Sequence, residues 1–147
     1  MWLGLILSFA MQGLHSADLG ARTIAQDDMS AIDEPRQVVA RTQTDWESLW
    51  RAHGSNKPAP KVDFSTESVV AIFLGSRPTP GYSAHFIRAG LKEKVLTLEW
   101  VERRPEADSI RAQVMTSPAL FAVIPKFDGE IMKIGRASCR ERVLDHV

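Results

Sequence analysis

The chain has 147 residues, about the length of one domain, and its 18 lysines and arginines are matched by 18 aspartates and glutamates. A net charge of zero provides no basic field for holding phosphates, which argues against nucleic acid as a partner, and 44% hydrophobic residues argue against disorder. A single cysteine, Cys139, excludes an internal disulfide and a cysteine-based zinc cluster.

Residues 1–17, MWLGLILSFAMQGLHSA, contain no aspartate, glutamate, lysine or arginine. Their apolar run is shorter than the roughly 20 residues a membrane-spanning helix needs. It suits the hydrophobic region of a secretory signal peptide, with small Ser16 and Ala17 before the polar start at Asp18. No stable membrane span is therefore expected in the mature chain. Residues 18–36 are polar, with Asp27-Asp28 and Asp33-Glu34-Pro35, and read as a linker. Residues 37–133 read as the folded domain. Over residues 134–143 the string IGRASCRERV resembles the translated read-through of a sequencing adapter. Residues 134–147 are accordingly expected to be a non-native tail, and Cys139 and His146 with them.

Within the domain, residues 37–41 predict a short strand. Residues 44–53, TDWESLWRAH, predict a helix with Thr44 as N-cap, Glu47 completing a capping box and Gly54 as the stop. Trp46, Leu49, Trp50 and His53 recur at i, i+3, i+4 and i+7, the mark of a face packed on a sheet. Residues 68–74, SVVAIFL, predict a buried strand. The glycines and prolines of residues 75–81, GSRPTPG, require a loop. Residues 82–88 and 95–102 alternate as strands, residues 110–115 predict a further strand, and residues 120–124 another, closed by Pro125. Asp128-Gly129 then signals a hairpin into residues 130–133. The fold class is α+β: mainly an antiparallel sheet of six to seven strands with one packed N-terminal helix.

No metal site or cofactor is expected, because His53 and His85 have no ligand-spaced neighbours. No nucleophile elbow or phosphate-binding glycine loop is present. Glu99 and Glu102 fall on opposite faces of one strand and read as a charged solvent face rather than an acid–base pair. No catalytic residue is singled out. The loop after residue 74 does stand out, because Pro78 and Pro80 stiffen it and it carries Arg77 and Tyr82. Stiffness lowers the ordering cost of binding, and arginine and tyrosine are enriched in interface hot spots. Arg77, Pro78, Thr79, Gly81 and Tyr82 are the expected contact to a protein partner, with Arg77 exposed.

Four stretches carry a family resemblance: TDWESLWRAH (44–53), VDFSTESVVAIFLGSRPTPGYS (62–83), VLTLEWVERRP (95–105) and AQVMTSPALFAVIP (112–125). In order and spacing they resemble the C-terminal domain of PrcB-type protease complex subunits, whose loop runs G-x-R-P-T-G-G-Y-S. Here Pro80 replaces the first glycine of that pair. The resemblance implies an exported bacterial protein, periplasmic or secreted, that is not an enzyme. It also implies an accessory or stabilising role in a protease complex, with an exported protease as partner. The loop over residues 77–82 is also similar to the Pro-Thr-Thr-Gly-Tyr loop of chagasin-like cysteine peptidase inhibitors. Inhibition through that loop is the alternative function.

Overall fold

The computed structural model describes residues 17–18, 20–127 and 132–136. The segment expected to be a signal peptide, Ala17 apart, lies outside them, as does the expected tail beyond Arg136. The elements run β1 (Ala17–Asp18), β2 (Arg22–Asp27), β3 (Arg36–Ala40), α1 (Gln43–His53), β4 (Glu67–Phe73), β5 (Ser83–Lys92), β6 (Val95–Arg103), β7 (Ala119–Pro125) and β8 (Met132–Arg136). They form two four-stranded sheets, β1-β5-β6-β8 and β2-β7-β4-β3. All pairings are antiparallel except β6 with β8. The mainly antiparallel α+β fold with one helix is as expected.

The second sheet is the middle of three layers. Val70, Ile72 and Leu74 of the β4 segment, with Leu120 and Ile124 of β7, face the first sheet, where Leu96, Leu98 and Trp100 of β6 meet them. The alternate residues Val69, Ala71 and Phe73, with Phe121 and Val123, face α1 through Trp46, Leu49 and Trp50. A strand buried on both faces has no solvent side to make polar, which is why residues 68–74 read as one apolar run. β6 has one wet face, and its burial alternates accordingly.

Phe121 is the hub of the helix-side core. Its ring lies 5.6 Å from Trp46, 5.2 Å from Trp50, 4.9 Å from His53 and 5.6 Å from Phe73. Each indole N–H is satisfied locally, Trp46 donating to the Pro60 carbonyl at 3.0 Å and Trp50 to that of Lys57 at 2.9 Å. The helix begins two residues earlier than expected. Thr42, in extended backbone, is the N-cap and its Oγ1 accepts from the Asp45 N–H at 3.1 Å. Thr44 is therefore inside the first turn, and Glu47 accepts from the Gln43 side chain instead of closing a capping box. Gly54, at φ 79°, ends the helix as expected, its N–H reaching the carbonyls of Trp50 and Arg51.

Three expectations are corrected. Residues 22–27, inside the stretch read as linker, form an edge strand on β7. Their polarity reflects one exposed face rather than absence of structure. Residues 110–115 form no strand. Ile110, Val114 and Met115 are exposed, and the segment has only an isolated bridge at Thr116. β8 does not close a hairpin on β7, because both edges of β7 are already taken by β2 and β4. It joins the other sheet, parallel to β6, and Ile134 to Arg136 continue it across the expected tail boundary. The turn residues Asp128-Gly129 lie outside the described residues.

β5 carries one irregularity. Its inward residues Ala84 and Phe86 change phase to Ala89 and Leu91 because Ile87 is an unpaired bulge between Phe86 and Arg88.

Trp50 is 9% exposed, so Trp50→Ala removes a large buried ring. Urea denaturation is expected to show a loss of about 3–5 kcal/mol.

Candidate functional site

The loop between β4 and β5 crosses from one sheet to the other. It lies at the same end as the β2–β3 and β6–β7 connections, since Phe73 pairs with Ala119 and Ser83 with Arg103. The three connections are tied by backbone hydrogen bonds. Ser76 N–H donates to the Asp33 carbonyl at 2.9 Å, and Ser117 N–H to that of Asp28 at 2.8 Å. Arg77 and Thr116 exchange both of theirs, at 2.7 and 2.9 Å.

Arg77 is not presented to solvent, which corrects the expectation. Its side chain is 22% exposed and its guanidinium grips Glu102, Nε to Oε1 at 2.8 Å and an Nη to Oε2 at 3.2 Å. The Glu102 side chain is only 2% exposed. A third donor goes to the Ser76 carbonyl at 3.0 Å, and the guanidinium carbon lies 5.9 Å from the Tyr82 ring centroid. The hydrogen bonds to Glu102 raise the Arg77 pKa above its already high value. Glu102 was read as a solvent face. It shares the parity of Leu96, Leu98 and Trp100, and that inward phase was the available signal for its burial.

Thr79 is buried, and its carbonyl accepts from Thr116 Oγ1 at 3.2 Å. Tyr82 packs on the inter-sheet core. Pro78 and Gly81 are the exposed members of the five. Gly81 has φ 101°, and a Cβ there would fall 2.8 Å from Cβ of Pro105, so the loop and the segment after β6 pass each other with no room for a side chain. Pro80 before a positive-φ glycine is the pairing a type II turn accepts, so the departure from Gly-Gly is compatible with the turn. Between these segments lies a hollow of about 480 Å³ walled by Pro80, Gly81, Pro105, Ile110 and Ala112.

Elsewhere the titratable groups are structural in their settings. His53 is fully buried. Its Nδ1 shares a 2.8 Å hydrogen bond with Ser30 Oγ, and Nε2 stands 3.4 Å from Asp27 Oδ2 without hydrogen-bond alignment. Ser83 Oγ lies 2.8 Å from His85 Nε2, and no carboxylate contacts His85 among the described residues. Glu99 pairs with Arg88 on the wet face of β6. Among the described residues no three His, Cys, Asp or Glu side chains converge to hold a metal ion, and no helix is long and apolar enough to cross a membrane.

Burial lowers the His53 pKa from its ordinary 6.5, with Asp27 opposing, and burial followed by Arg103 lowers that of His85. Below pH 6.5 the unfolded chain binds protons that the fold resists, so the stability from neutral histidines is complete above that pH and is lost on acidification. The melting temperature is expected to fall between pH 7 and pH 5, and His53→Asn to flatten that fall. A melting temperature that rises over this range would contradict the assignment.

Comparison with curated proteins and with solved structures finds no match. Residues 68–125, which run from β4 through the loop to the end of β7, match the family described as PrcB C-terminal.

Proposed function

We propose that the domain is a non-catalytic protein-binding module that works outside the cytoplasm as an accessory or stabilising subunit of a protease complex. The family match supports association with a protease complex. The observation that carries the binding surface is the braced loop over residues 77–82. Arg77, Thr79 and Tyr82 hold its shape from inside, while Pro78 and Gly81 face outward to meet the partner. A loop already tied at both ends loses little entropy on binding.

The test is a binding titration of the full chain against purified exported proteases of the source genome. One of them is expected to bind without losing turnover, and Pro78→Glu to weaken that binding at an unchanged melting temperature. Capture of none would contradict the reading. Blocked turnover of a cysteine peptidase would replace it with inhibition through the same loop.

A further inference from the structure

We infer that the connection between β2 and β3, residues 28–35, is an acid-released strap whose latch is the buried side chain of His53, and that its release loosens the loop over residues 77–82.

The strap is tied on two sides. On one, the Ala31 N–H donates to the His53 carbonyl at 2.8 Å, and Ser30 Oγ meets His53 Nδ1 at 2.8 Å. On the other, the Ser30 N–H donates to the Ser117 carbonyl at 2.9 Å, the Ser117 N–H to that of Asp28 at 2.8 Å and the Ser76 N–H to that of Asp33 at 2.9 Å. Ser117 follows Thr116, which is bridged to Arg77, and Ser76 precedes Arg77. Gly75, at φ 80°, passes so close that a Cβ there would fall 2.8 Å from Cδ of Pro35. The strap therefore lies between the end of α1 and the base of the loop. Ser30 is its one buried residue. A segment held by a few hydrogen bonds and little apolar contact opens at lower cost than the core beneath it.

The His53 ring is satisfied when neutral and poorly satisfied when charged. The rings of Trp50, Phe73 and Phe121 enclose it at 5.1, 6.3 and 4.9 Å between centroids and offer no hydrogen-bond acceptor. β7 has no charged residue, β4 has only Glu67 at the end away from Phe73, and Arg51 of α1 and Asp28 of the strap are exposed. The charge that faces the ring is Asp27 at the end of β2, 3.4 Å from Nε2 and out of alignment. Ser30 Oγ also accepts from the Ile32 N–H at 3.1 Å. If the Ser30 hydroxyl donates to a bare Nδ1, a proton on that nitrogen turns it away from its acceptor. If Nδ1 already carries the hydrogen, the new proton goes to Nε2, where Asp27 is badly placed. In both cases the charged ring is short of partners under the strap and hydrated once the strap lifts, so protons favour the open form. Burial accordingly outweighs Asp27 and lowers the ring's pKa from 6.5. The strap is at its firmest above pH 6.5, and its opening constant rises by up to about tenfold per pH unit below that value.

The experiment is amide hydrogen exchange of the full chain at pH 7 and pH 5, expressed as protection so that the intrinsic pH dependence of exchange cancels. Ser30, Ala31 and Ser117 report the strap, Arg77 the loop, and Val70 and Ala122, which pair in the middle sheet, the core. The strap is expected to be less protected than the core at both pH values and to lose about tenfold or more of its protection at pH 5, with Arg77 following it. His53→Asn keeps a side-chain amide beside Ser30 but cannot take the proton, and should remove that loss. Asp27→Asn tests the latch without touching the buried ring, and its side-chain oxygen can still accept from the Met29 N–H. With the facing carboxylate gone the closed ring resists the proton more, so this variant should lose at least as much protection between pH 7 and pH 5 as the wild type. Equal strap protection at the two pH values would overturn the inference, as would one common protection for strap and core, or a smaller loss in Asp27→Asn. A strap that opens at pH 5 while Arg77 keeps the protection of the core would overturn the link to the loop.

Discussion

The guanidinium of Arg77 closes on a carboxylate that has almost no access to water, and the end of the sandwich that carries the loop over residues 77–82 is organised around that contact. Glu102 projects from β6 in the same phase as the core residues Leu96, Leu98 and Trp100. An unpaired carboxylate there would cost several kcal/mol. Pairing it draws the loop between β4 and β5 against the other sheet, so the ion pair spans the two layers. The neighbouring contacts follow from that position: the bridge to Thr116, the buried Thr79 and the passage of Gly81 over Pro105.

The layer order explains why this end is the one proposed as a binding surface. The middle sheet is covered by α1 on one side and by the other sheet on the other, so its faces present nothing to a partner. The chain changes sheet four times, and two of these passages, from β4 to β5 and from β6 to β7, bear on this end. Both passages fall at one end and are short of regular structure. Loops on a rigid scaffold are where binding residues concentrate, and these two are braced against each other rather than free.

Much of this was legible in the residues. The helix showed itself by the spacing of Trp46, Leu49, Trp50 and His53, and the doubly buried strand by an apolar run too short for a helix. The N-cap was ambiguous because Thr42 and Thr44 both offer a hydroxyl, and only the backbone at Thr42 is extended. β2 was missed because an edge strand with polar residues lacks the alternation that burial imposes. The partner of β8 was not readable locally, since an Asp-Gly turn says that the chain reverses and not which sheet edge is vacant. The site was half legible. Its loop stood out by its prolines, while the inward turn of Arg77 depended on Glu102, 25 residues away. Residues 110–115 carry no signal beyond hydrophobicity, which reads as a strand although Ile110, Val114 and Met115 are exposed.

The most direct test of this account is a double-mutant cycle on the ion pair, with Arg77→Met, Glu102→Leu and the pair of substitutions compared by equilibrium denaturation. Each single change should cost about 3 kcal/mol, because each takes two charge-assisted hydrogen bonds from the remaining member of the pair in a largely closed site. The double variant should cost clearly less than the two together, by at least about 1 kcal/mol, because neither charge of the pair then remains in the closed site. Additive losses, or an Arg77→Met variant as stable as the wild type, would contradict the claim that this contact holds the loop.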